Sequence, residues 1–281
     1  MTKVMKSYLA FLLLIGWSFD ICPQTAVQKS AVVNGNGSSS LAFQAGEKLT
    51  YKVYYNWNFV WLAAGEVTFE ISENDRYYHF KAIGRTYESY EWFYYVRDVY
   101  HSWADKNTLL PQYSERSIHE GEYRIYERIQ YDQNARKAVV WRAPKQGEPE
   151  TRTEHHVQDY VFDVLSSIYF LRTLDLSNKP AGTEYPFRIF MDQEEFPLRL
   201  RYLGKEDNKK IRGLGRFRTL KVQPQVIVGH IFTEDSKMTV WVSDDENRLP
   251  LLIETPIAVG SVKMILKEHK GLKYPLHAKR E

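Results

Sequence analysis

Apolar and polar residues alternate with period two through much of the chain. In residues 48–55, Leu49, Tyr51, Val53 and Tyr55 share one face, and Lys48, Thr50 and Lys52 share the other. In 66–72, Val67, Phe69 and Ile71 oppose Glu66, Thr68 and Glu70. The same rhythm recurs in 123–131, 196–202 and 237–243. Successive side chains of a strand point to opposite faces, so each segment predicts an antiparallel strand with one dry and one wet face. Polar clusters at 73–75, 132–134 and 244–247 supply turns between them. Strands at this short spacing predict a mainly β protein, either a large curved antiparallel sheet or one or more open β-barrels.

One segment breaks the rhythm. Residues 161–173 carry Val161, Phe162, Val164, Leu165, Ile168, Tyr169, Phe170 and Leu171, apolar on nearly every side. A helix of that kind must be buried on most of its surface. Asp159 or Asp163 can cap its start, and Pro180-Ala181-Gly182 follows its end. A second helical stretch at 89–95 competes with a strand there. The sheet is therefore expected to wrap around one buried helix, 161–173. Six to eight strands fall in 43–158 and about six in 181–270. Two half-barrels sharing the helix, or one continuous curved sheet across a single domain at 43–270, both fit.

The N-terminus reads differently. Lys3 and Lys6 precede the uncharged apolar run 8–19, which ends at Asp20. The run is shorter than the ~20 residues a bilayer span needs. Residues 1–26 are therefore expected to be a signal peptide. Residues 27–42 have linker composition. Cys22, the single cysteine, is a lipidation candidate only if cleavage falls just before it; bulky Ile21 argues against that. The expected location is the periplasm or an outer-membrane or cell surface. A net charge of +3 is too small an excess for a nucleic-acid binder. Aromatic residues make up 15% of the chain, which favours strands and excludes disorder.

Several motifs occur together and in order. They are Gly46-Glu47-x-Leu49-x-Tyr51, Gly65, Val96-x-Asp98-x-Tyr100-x-Ser102, Leu110-Pro111 and Asp163-x-x-Ser166-x-x-Tyr169-x-x-Arg172. Gly213-x-Gly215-x-Phe217-x-Thr219, the run 240–245, Leu249-Pro250 and Gly260 follow. The set resembles the exported-protein family catalogued as domain of unknown function 3108, across nearly all of 43–268. That resemblance implies a secreted or periplasmic β-rich protein and assigns no catalytic role. The predicted architecture is also similar to the LolA/LolB lipoprotein carriers, a likeness of fold alone.

Catalytic and metal signatures do not emerge. No G-x-S-x-G elbow is present. His119-Glu120-Gly121-Glu122-Tyr123 has Tyr where a zinc protease needs its second His. His155 and His156 are adjacent and on a strand face opposite ways, which does not suit one metal. Gly213-x-Gly215 reads as a sheet bend. Glu194-Glu195 and Asp244-Asp245-Glu246 read as turn residues. Asp98 and Asp105 are the best acid candidates. No cofactor and no metal are expected.

Two features remain. Tyr87–Trp103 is so aromatic that its side chains cannot all face one core. Tyr90, Trp92, Phe93, Tyr94, Tyr95 and Trp103, with Tyr169 of the helix, are the candidate ligand-binding residues; the alternative is a well-filled core. The basic run 199–221 places Arg199, Arg201, Arg216 and Arg218 for contact with anionic lipid headgroups or acidic glycans. The alternative is a solvated face that blunts exposed strands. The expected role is non-enzymatic: binding or carrying an apolar or amphiphilic, lipid-like molecule in a cavity between sheet and helix. A glycan-binding module and a carbohydrate-active hydrolase are the alternatives. A deep apolar cavity, a shallow aromatic platform or two facing carboxylates would distinguish them.

Overall fold

A computed structural model describes residues 41–57, 60–92, 94–227, 236–257 and 260–280. The expected signal segment, nearly all of the linker, and Phe93 lie outside the described residues. The linker expectation runs two residues too far. Leu41 packs on the core and Ala42 is fully buried.

Eight strands precede the central helix: β1 (Lys48–Trp57), β2 (Val60–Glu73), β3 (Tyr77–Thr86), β4 (Arg97–Asp105), β5 (Pro111–Glu120), β6 (Tyr123–Asp132), β7 (Lys137–Ala143) and β8 (Thr151–His156). A one-turn helix α1 (Glu88–Glu91) joins β3 to β4. After helix α2 (Val164–Leu171) come β9 (Glu184–Met191), β10 (Glu194–Ile211), β11 (Gly215–Pro224), β12 (Thr239–Ser243), β13 (Pro250–Pro256), β14 (Ser261–Lys270) and the short β15 (Lys279–Arg280). They form one 15-stranded sheet, ordered β8 to β1, then β14 to β9, with β15 on β11. Each half is an antiparallel meander, and pairing of β1 with β14 joins them. One continuous sheet is thus the correct alternative.

Two glycines of the motif set are required where backbones crowd. A Cβ on Gly65 would lie 2.3 Å from the Arg85 carbonyl oxygen of β3. Gly260, at φ +87, would meet the Asn56 carbonyl oxygen at 2.2 Å. Any side chain at either position would push neighbouring strands apart.

The edge strands β8 and β9 do not close into a barrel by pairing. The segment before α2 occupies the gap, with Phe162 forming a parallel bridge to Ile189. Phe162 N donates to Arg188 O and Phe190 N donates to Phe162 O, both at 2.8 Å. Gln133 clasps the same segment: its Nε2 donates to Val161 O and its Oε1 accepts from Val161 N. Residues 161–162 are therefore extended, and the helix is shorter than the predicted 161–173. Asp163 is its N-cap, accepting from Ser166 N at 2.9 Å, while Ser166 Oγ accepts from Asp163 N. These reciprocal bonds satisfy donors that a helix start otherwise leaves bare.

Strand β10 is longer than its alternation suggests. The alternation ends at Tyr202, yet the strand pairs with β11 to Ile211 through irregularities at Tyr202/Gly204 and Glu206/Lys209. Bulges shift the side-chain phase, which removes the period-two signature. Glu194 and Glu195 lie on this strand rather than in a turn; Arg188 pairs with Glu195. The turn is Asp192-Gln193, both at positive φ.

Candidate functional site

The site is best built from helix α2. Val164, Ile168 and Leu171 fall at i, i+4 and i+7, which puts them on one face. Across from that face, β1, β2 and β9–β14 contribute residues such as Leu49, Phe69, Leu200, Val240 and Ile253. Val164 and Leu171 pack against the cluster that holds Leu200 and Val240, but the two surfaces do not close completely. Between them lies a cavity of about 260 Å³ whose walls are overwhelmingly apolar. Half-buried Val226, Ile227 and Met238 also line it.

Tyr169 is the one sequence-predicted ligand residue that lines this cavity. Phe93 lies outside the described residues, and the other five are elsewhere. Tyr94 is buried in a second apolar cluster with Leu49, Val53 and Phe217. Trp103 stacks on His79 at 4.5 Å between ring centroids and packs on Tyr113. Tyr95 meets His119 at 4.5 Å and Arg97 at 5.0 Å. Tyr90 is half-buried within α1, and Trp92 is 83% exposed with its Nε1 bonded to Ser89 O. The aromatic surplus is thus divided between a core and the sheet's outer surface. The cavity's aliphatic walls come from ordinary strand positions, and nothing in the local sequence distinguishes them from filled core.

Two arginines interrupt the apolar lining, Arg172 and Arg248. Arg172 is buried and forms an ion pair with Glu47, Nη1 to Oε1 at 2.5 Å and Nη2 to Oε2 at 3.0 Å. Its Nη2 also donates to Ala42 O and Asn247 O. Burial works against the Arg172 charge, but Glu47 outweighs it and holds the guanidinium above its ordinary pKa. A charge in an apolar helix requires such a partner, but the sequence holds 35 carboxylates and does not say which one.

The opposite side of α2 packs closely, with a small pocket of about 30 Å³ beside Asp163 and Leu165. Phe80 stacks on Tyr169 at 3.9 Å, and Phe43 meets Tyr169 edge-on at 5.1 Å. Ser102 of β4 donates to the carboxylate of Asp163. Burial pushes the Asp163 carboxyl up to about 6, against the Ser102 and Ser166 donors that favour its ionised form. Nearby, Arg116 holds Glu127 at 2.8 Å and Asp192 at 2.5 Å, and Arg142 contacts the same two carboxylates. Asp192 belongs to the β9–β10 turn, so this network ties the second half of the sheet to β5, β6 and β7.

The acid candidates resolve into structural roles. Asp105 caps its own turn, accepting from Asn107 N and Thr108 N. Asp98 is buried, accepts from His119 N, and hydrogen-bonds Glu120. Burial raises its carboxyl to about 6. Among the described residues no group of three His, Cys, Asp or Glu is placed to hold a metal, and no helix is long and apolar enough to cross a membrane.

The four basic residues singled out do not form one cluster. Arg199 and Arg201 lie at one end of the β10–β11 hairpin, with Arg201 opposite Gln223. Arg216 lies at the other end, opposite Lys210 and seven residues along β11 from Gln223, which at ~3.3 Å per residue is roughly 23 Å away. Arg199 pairs with Glu184, and Arg216 donates to Asn208 O. Half-buried Arg218 sits two residues along from Arg216.

A family model described as "Protein of unknown function (DUF3108)" matches residues 50–267. No curated protein matches the chain. Among solved structures the fold is similar to that of a β-barrel-like protein of domain of unknown function DUF1849 from Brucella abortus. The TM-score is 0.53 at 8% identity, over 82% of this chain and 99% of that one. At that identity the likeness speaks for the fold alone.

Proposed function

This chain belongs to the DUF3108 family, and we propose that it binds an apolar or amphiphilic, lipid-like molecule in the cavity between α2 and the second half of the sheet, as an exported protein of the cell envelope. One observation carries this reading: the 260 Å³ apolar cavity. Protein interiors are close-packed, and this cavity, which opens to solvent past half-buried Val164, Ile168 and Leu171, leaves its apolar walls short of the contacts a filled core would make. An apolar chain restores those contacts and gains about 0.8 kcal/mol for each methylene removed from water. The aliphatic walls suit a hydrocarbon better than a sugar, whose hydroxyls would find few partners there.

The neutral fluorophore N-phenyl-1-naphthylamine tests the reading. Its fluorescence is expected to rise saturably with the wild-type chain. Ile168→Trp, which projects an indole from α2 into the cavity, is expected to abolish that rise while leaving the circular dichroism spectrum unchanged. An undiminished rise in the variant would place the binding elsewhere.

A further inference from the structure

Arg248 differs from its neighbour Arg172. Among the described residues no carboxylate lies within salt-bridge distance of it. Its Nη1 donates to the carbonyls of Arg172 and Thr173 at the end of α2, at 3.2 and 3.3 Å. The closest acids are engaged with other groups. Asp245 accepts from Ser243, Asn247 and Ala278; Asp175 accepts from Ser177 N; Glu246 lies 3.6 Å from His277. Their combined field favours the Arg248 charge but does not offset the cost of its burial, and its pKa falls below the ordinary value. An apolar cavity therefore has a positive charge in its wall without a close counterion.

Resting on the cavity's role as a ligand site, we propose that the ligand is an anionic amphiphile whose headgroup is held by the Arg248 guanidinium and whose chain occupies the apolar space. A guanidinium presents a planar fork of donors that matches a carboxylate or a phosphate. Size sets the chain. A cavity of ~150 Å³ holds six-carbon benzene, so 260 Å³ corresponds to about ten carbons.

Calorimetric titration of the full chain with decanoate, decyl phosphate and decanol, each below its micellar concentration, tests this. Wild type is expected to bind decanoate about ten- to a hundredfold more tightly than decanol, the range of a charge-assisted contact. Decyl phosphate ranks the two anion types against each other. Arg248→Gln keeps an N–H for the helix carbonyls and removes the charge; it is expected to bind decanoate no better than decanol. Decanol binding by the variant shows that its cavity is intact. Equal wild-type affinity for decanoate and decanol overturns the headgroup assignment, whether or not the variant folds. A preference that survives in Arg248→Gln overturns it as well. Absence of binding by all three probes overturns the cavity reading itself.

Discussion

Helix α2 faces two parts of one sheet, and they receive it differently. Toward β3 and β4 the contact is close, with Phe80 stacked on Tyr169 and Ser102 bonded to Asp163, and the pocket beside it measures about 30 Å³. Toward β9–β13 the stripe Val164, Ile168 and Leu171 looks into an open apolar space. Both sides are hydrophobic, and they are anchored differently. The closely packed side is held by stacked rings, a capping box and the Arg116–Glu127–Asp192–Arg142 network. On the open side Arg172 and Glu47 hold the C-terminal end of the helix at a set distance. These contacts pin both ends of the helix to the sheet.

The largest effect is expected where the pinning is removed. Glu47→Ala strands the buried Arg172 charge and should cost about 3–5 kcal/mol, read by urea denaturation. The N-terminal end of α2 offers a pH test. The folded pKa of Asp163, about 6, lies above its ordinary value of 3.8, so between these values the folded state binds more protons than the unfolded one. Its contribution therefore falls as pH rises from about 4 to 6, by up to about 3 kcal/mol. Asp163→Asn, which can still cap the helix, should remove that component from stability measured across the range.

Adding volume compares the two sides directly. Ala82 sits in the same buried cluster as Tyr169, and Ala82→Leu should destabilise by about 1–3 kcal/mol through overpacking. Ile168→Trp adds more atoms into the open side and should change stability by less than about 1 kcal/mol, because there is space to fill. Equal losses in the two variants would mean that the cavity walls are as tight as the core. The smallest effect is expected at Trp92, which is 83% exposed. Trp92→Ala should shift stability by under about 0.5 kcal/mol in the same denaturation assay.

Much of the fold was legible in the sequence. Alternation placed β1, β6 and β12 to within two residues and the second half of β2, because a half-buried strand leaves a period-two record. Apolar character all around 161–173 marked the buried helix, although tertiary pairing of Phe162 with β9 shortened it. The second half of β10 was hidden, because bulges break the phase that alternation depends on. The candidate site was legible only at Tyr169. Leu200, Val222 and Val240 read as core residues, and a residue facing a void has the same pattern as one facing a neighbour.

The sequence by itself determined a β-rich chain around one apolar helix, since burial periodicity and capping are local properties. Only the tertiary structure decided that the two meanders join through β1 and β14, that Glu47 is the partner of Arg172, and that one side of α2 stays open. Those outcomes depend on distances between segments far apart in the chain, and no local pattern encodes a distance.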